Sequence, residues 1–137
     1  MPSVPGERPL RLILVEDNAS YREQLTLRLD DLPGIQIVHS AEKSGDACTW
    51  LKQNENGWDL LVLDIFLTEG HGYEILKCVR DRRERQHAVF LTSYTRDPAR
   101  SQALALGANA VFDKLDVDPF LDYVQQRRDA LAHADCP

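Results

Sequence analysis

The sequence predicts an α/β fold, a parallel sheet with helices on both faces, and three observations carry that prediction. Short apolar, β-favouring runs alternate five times with segments of helical periodicity. Two of those segments open on Asp97-Pro98 and Asp118-Pro119, each pairing an N-cap acid with a proline at the first helical position. Polar residues gather where the apolar runs end rather than where they begin. Alternation of this kind is what parallel βαβ units produce, and right-handed crossovers then give a five-stranded, doubly wound sheet with five helices.

The elements follow in order. Leu10 to Val15 is the first strand, interrupted only by Arg11 and ending in Glu16-Asp17-Asn18. Tyr21, Leu25, Leu29 and Leu32 mark one side of a helix that Pro33-Gly34 stops. Ile35 to Val38 is a short strand whose polar interruption suits a sheet edge. Ser44-Gly45 opens a second helix with Ala47, Cys48 and Leu51 inward, closed by residues 54–57. Asp59 to Phe66 is the central strand, and residues 68–72 form a polar loop after it. Tyr73, Ile75, Leu76 and Val79 give a third helical face, with the charge run Arg80 to Arg85 as its solvated end. Ala88 to Leu91 is the fourth strand, ending in Thr92-Ser93. The next helix runs to Gly107, a left-handed stop. Ala110 to Phe112 is the fifth strand, ending at Asp113-Lys114, and Phe120, Val124 and Leu131 mark the core side of the last helix.

A chain of 137 residues can bury a sizeable core as one domain. Residues 1–9, with three prolines and a glycine, read as a loose leader, 10–133 as the domain and 134–137 as a tail. A formal net charge of −6 argues against a broad nucleic-acid-binding face. No apolar run approaches the roughly 20 residues that span a bilayer. Cys48, Cys78 and Cys136 are odd in number and lack metal-ligand spacing, so they read as reduced thiols of a cytoplasmic protein. His39, His71, His87 and His133 lie in four different segments and read as structural or solvated.

Asp64 is the oddity of the central run, because a carboxylate is costly to desolvate and a buried pattern seldom ends on one without a partner. Open α/β sheets place their sites outside the carboxyl ends of the strands. Glu16 and Asp17 after strand one, Asp64 after strand three, Thr92 after strand four and Lys114 after strand five converge on that edge. Three carboxylates so placed repel one another unless a cation sits among them, and a small set of hard oxygens suits Mg²⁺. A carboxylate beside such a metal is able to attack a phosphoryl group, with Thr92 as hydroxyl donor and Lys114 as cation.

These motifs, Leu-Val-Glu16-Asp17-Asn, Leu-Val-Leu-Asp64-Ile, Phe-Leu-Thr92-Ser93 and Phe-Asp-Lys114, with Gly72 and the Gly-Ala-Asn before strand five, resemble the receiver domain of two-component response regulators over about residues 10–133. The resemblance implies a flavodoxin-like sheet of order 2-1-3-4-5. It implies that Asp64 accepts phosphate from a sensor histidine kinase or phosphotransfer protein. Mg²⁺ would be held by Asp64, by Asp17 directly, by Glu16 through water and by the backbone carbonyl of Phe66. Thr92 and Lys114 would contact the phosphoryl group. Such a domain catalyses only its own phosphorylation and dephosphorylation. It acts through an unidentified output protein, with a homodimer through the fourth helix, fifth strand and fifth helix as one outcome.

Three positions depart from the family pattern. Leu115 stands where proline commonly follows the lysine, Val111 where the switching aromatic usually lies, and Thr68 where proline is common after the acceptor. Phe112 is placed on the opposite face of its strand from Val111. Phe66 and Tyr94, each two residues beyond a site residue, flank the expected phosphoryl group. Two rival functions remain open from sequence: a scaffold of this fold that no longer responds to phosphate, and a Mg²⁺-dependent aspartyl phosphohydrolase. The second lacks its general acid, because Phe66 occupies that position.

Overall fold

The computed structural model describes residues 8–134. Five strands, β1 (Leu10–Val15), β2 (Ile35–Ala41), β3 (Leu60–Leu63), β4 (His87–Thr92) and β5 (Ala110–Asp113), form one sheet in the order β2-β1-β3-β4-β5. All neighbours are parallel. The connecting helices are α1 (Ala19–Asp30), α2 (Ser44–Gln53), α3 (Gly72–Cys78) and α4 (Ala99–Ala105), and α5 (Asp118–Ala134) closes the domain. The predicted fold class and strand order are both observed.

Strand alternation divides the core in two. Ile13, Val15, Leu61, Leu63 and Phe90 pack with Ala47 and Leu51 of α2, Ile75 and Leu76 of α3, and Ala103 of α4. Leu12, Leu14, Leu60, Val62 and Leu91 point the other way, against Leu25 and Leu29 of α1 and Phe120, Val124 and Leu131 of α5. Each leucine buried this fully contributes about 2 kcal/mol of hydrophobic stabilisation. Val111 lies in the first cluster, while Phe112 packs on the second, edge-on to Phe120 and Tyr123. Phe112 therefore lies on the opposite face of β5 from Val111, as the sequence predicts, and that face is the α1/α5 side.

Several boundaries differ. The β2 strand runs on to Ala41 because pairing with β1 continues past a bulge between Leu12 and Ile13. The β3 strand stops at Leu63, so Asp64 begins the loop rather than ending the strand. Pro98 occupies the cap position and α4 starts one residue later, with the Asp97 carboxylate accepting from the Ser101 N–H at 3.1 Å.

Three side-chain readings need correction. Arg82 is not simply solvated: α3 ends at Cys78, and the Arg82 guanidinium donates to the carbonyls of Val79, Gln86 and Gly107. Cys48 and Cys78 are not free thiols but form a disulfide between α2 and α3, with Cα atoms 6.0 Å apart. The sequence separation hides this, because only the docking of two helices on one sheet face brings these positions together. Cys136 lies outside the described residues, as do residues 1–7 of the predicted leader and 135–137 of the tail. The end of the leader is engaged, since Arg8 donates to Asp59 at 2.7 Å. Arg11 donates to the same buried carboxylate, which explains the one charge inside β1. Burial alone would raise the Asp59 carboxyl, but the Arg8 and Arg11 hydrogen bonds outweigh it and hold it below its ordinary range.

Candidate functional site: an acidic pocket bridged by lysine

The carboxyl ends of β1, β3, β4 and β5 deliver Glu16, Asp17, Asp64, Thr92 and Lys114 to one edge of the sheet. The Asp64 N–H donates to the Val15 carbonyl at 3.3 Å, which ties the acid to the end of β1. Gly72 lets α3 start directly against it. A Cβ there would stand 2.1 Å from the Asp64 carbonyl oxygen, and the Gly72 N–H donates to Ile65 at 2.7 Å.

Asp64 is only 8% exposed. Its Oδ1 accepts from the Ile65 N–H and its Oδ2 from Lys114 Nζ, both at 2.7 Å. The same ammonium donates to Glu16 Oε1, so one lysine bridges two carboxylates. Tyr21 supports it from α1: the ammonium lies 4.8 Å from the ring centroid, and the phenol donates to the Lys114 carbonyl at 3.3 Å. Sequence periodicity marks Tyr21 only as a core-side position, and its contact with Lys114 depends on how α1 meets the loop after β5. Burial acts to lower the Lys114 pKa, but the hydrogen bonds and charges of Asp64 and Glu16 outweigh it and raise it. The ammonium is held charged.

Glu16 is the buried acid of the pocket. Burial lifts its carboxyl to about 7, against the pull of Lys114 and with repulsion from Asp64 adding to the rise. A carboxyl raised above its ordinary value makes the fold lose stability as pH climbs from about 4.5 to about 7, because the unfolded chain gives up that proton first. Its Oε2 is buried without a hydrogen-bond partner among the described residues. An orphaned acceptor of this kind is costly unless a cation or water completes it. One oxygen each of Glu16, Asp17 and Asp64 lies within 4.8 Å of the others. Hard oxygens this close suit a divalent cation that keeps part of its water shell.

Thr92 reaches the same edge fully buried, but its Oγ1 accepts from the Tyr94 N–H at 3.2 Å rather than bonding to Asp64. Its carbonyl accepts from the Lys114 N–H at 3.0 Å, linking the ends of β4 and β5. Phe66 stands in the loop after Asp64, bridged to His71. Its ring meets Tyr94 edge-on at 4.6 Å, and the two are 45% and 52% exposed. Thr68, which the sequence marks only as a departure, donates both its N–H and its hydroxyl to Asp17. Leu115, the other residue in place of a common proline, donates its N–H to Asp113 Oδ1 at 2.9 Å. Both substitutions supply a donor that proline lacks.

Lys114→Met is expected to cost the metal-free protein about 3 kcal/mol at pH 8, since removing one member of a buried ionic group strands the others. The loss shrinks below about pH 6, where Glu16 takes up a proton instead. Urea unfolding at the two pH values checks this, and an equal loss at both would remove Glu16 from the account.

Fold and site together define a small α/β domain with a lysine-bridged acidic pocket on the strand-end edge of its sheet. The chain belongs to the response regulator receiver domain family, whose model matches residues 12–124. It is 35% identical over 104 residues to a protein-glutamate methylesterase/protein-glutamine glutaminase of Symbiobacterium thermophilum, covering 74% of this chain and 28% of that protein. It is 29% identical over 100 residues to the DNA-binding transcriptional activator DevR/DosR of Mycobacterium tuberculosis, covering 73% and 45%. The chain thus spans about half or less of these curated relatives. Among solved structures, the response regulator domain of Thermotoga maritima CheB superposes with a TM-score of 0.75 at 23% identity, covering 89% of this chain and 98% of that one. CheY in a CheX-CheY-BeF3-Mg+2 complex from Borrelia burgdorferi gives 0.75 at 20% identity, covering 90% of each chain. Receiver domains are the phosphoryl-accepting modules of two-component systems and hold Mg²⁺ at an acidic pocket; this chain has such an acidic cluster.

Proposed function

We propose that this receiver takes a phosphoryl group on Asp64 from a sensor histidine kinase or phosphotransfer protein, and that the change alters which output protein it binds. The observation that carries the reading is the Glu16–Lys114–Asp64 bridge beside Asp17, with one Glu16 oxygen left without a partner among the described residues. Asp64 and Asp17 would hold Mg²⁺ directly, Glu16 through water and Phe66 through its carbonyl. The ion, when bound, supplies charge neutralisation for the transferring group. A carboxylate oxygen of Asp64 attacks phosphorus. The O–P bond forms, the N–P bond of the phosphohistidine breaks, and the imidazole leaves with the bonding pair and takes a proton. Lys114 then faces the phosphoryl oxygens, and Thr92 turns its hydroxyl toward them.

Because Lys114 N–H and Thr92 carbonyl are already joined, movement of either residue reaches β4 and β5 together. We infer from this link that the output lies on the α4–β5–α5 face, where a protein partner or a second copy would distinguish the two shapes. The domain acts in the cytoplasm and turns over no substrate beyond its own phosphate. Incubation with acetyl phosphate tests the reading: about one phosphoryl group per chain is expected with Mg²⁺ and none with chelator. No incorporation under either condition would leave a scaffold of this fold as the function.

The Phe66 and Tyr94 rings meet edge-on beyond Asp64 and Thr92, and neither side chain carries a carboxamide or carboxylate to orient water; we infer that they screen the acyl phosphate. Phe66→Asn and Tyr94→Glu are each expected to shorten the phosphate half-life about tenfold, less than the roughly 100-fold or more that a fully positioned general base contributes. Decay of label after removal of the donor measures it, and an unchanged half-life in both would end the shielding argument.

A further inference from the structure

We propose that Thr68 is a positioning residue for the metal pocket, holding Asp17 in the orientation in which it receives the cation. The inference rests on the pocket reading above and deepens it. Thr68 donates twice to one carboxylate oxygen, its N–H to Asp17 Oδ2 at 2.7 Å and its hydroxyl to the same oxygen at 2.5 Å. Those are the hydrogen bonds that the described residues make to the Asp17 side chain, and both fall on Oδ2. Oδ1 is left for a ligand. Asp17 lies just past the end of β1 and is only partly buried, so packing alone does not fix its rotamer. Two donors converging from one residue do.

The loop that presents Thr68 is itself held. The Leu67 N–H donates to the Gly70 carbonyl at 3.3 Å, closing a turn with Thr68 and Glu69 at its tip. Phe66 pairs with His71 across its base, and the Ser44 N–H at the start of α2 donates to the Glu69 carbonyl at 3.2 Å. Gly70, with φ of 89°, sits so close to Ser44 that a Cβ would stand 1.9 Å from its hydroxyl oxygen. A second, independent observation points to a cation at this spot: Glu16 Oε2, across the pocket, is buried and has no hydrogen-bond partner among the described residues. A ligand oriented by an outer hydrogen bond commonly loses about 10- to 100-fold in metal affinity when that bond is removed.

The experiment is Mg²⁺ titration of the unphosphorylated protein by calorimetry at pH 8, with Thr68→Val and Thr68→Ser compared against the parent. Val keeps the shape and the N–H but drops the hydroxyl, and Ser restores it. The expected result is binding weakened about tenfold in Thr68→Val and within about twofold of the parent in Thr68→Ser, with melting temperatures unchanged because Thr68 is exposed. Parent-like or tighter binding in Thr68→Val, or equal weakening in Thr68→Ser, overturns the proposal while leaving the pocket reading intact. A parent protein that takes up no Mg²⁺ overturns both.

Discussion

Asp64→Ala is expected to bring Mg²⁺-dependent incorporation from acetyl phosphate down at least about a hundredfold, to background, in a protein that still folds. Among the described residues, each of the pocket's two other acids has an oxygen already engaged. Glu16 is 2% exposed, its carboxyl lifted to about 7 and one oxygen committed to Lys114. Asp17 has one oxygen tied by two donors from Thr68. The fold survives because Lys114 retains Glu16 as a partner, so Asp64→Ala removes one acid from a cluster of three rather than stranding a buried cation. Asp64→Asn is the shape-preserving companion and should fail equally, since a carboxamide is no nucleophile here. Hydroxylamine should strip the label from the parent protein, as it does from acyl phosphates. Stoichiometric labelling of Asp64→Ala would move the acceptor elsewhere and remove the central assignment.

What was legible in the sequence is what depends on local pattern. The alternation of β-favouring runs and helical faces marks the five βα units. The rule that strand ends carry the site groups Glu16, Asp17, Asp64, Thr92 and Lys114 from the sequence alone. What was not legible depends on how elements dock. Arg82 looked like one more charge in a solvated run, yet it closes carbonyls left open by the end of α3 and the turn at Gly107. Asp59 looked like the polar start of a strand, yet it anchors Arg8 and Arg11 from the chain's beginning. Thr68 stood out only by not being proline, and its contact with Asp17 spans 51 positions that no periodicity connects. Long-range polar pairing leaves no trace in spacing, because spacing reports only which face of its own element a residue occupies.

The same blindness concealed the Cys48–Cys78 bond, and its consequence is large. A cross-link between residues separated by 30 positions removes chain entropy from the unfolded state worth about 3.5 kcal/mol in the loop-closure account. Reduction is therefore expected to lower the melting temperature by roughly 10 °C for a domain of this size. Cys48→Ala should show the lowered value with or without reductant. A parent melt that ignores reductant, with both thiols shown to be alkylated, would refute the contribution. Phosphorylation should respond differently. The start of α3 is fixed to the Asp64 loop by the Gly72 N–H on Ile65 and by burial of Ile75 and Leu76, none of which needs the sulfur bridge. Labelling of Asp64 in the reduced protein at 20 °C is thus expected within about twofold of the oxidised one. In a compartment buffered by glutathione the reduced form is the one that operates. There the α2–α3 pair contributes as two half-buried thiols, and the acidic pocket works on the rest of the fold alone.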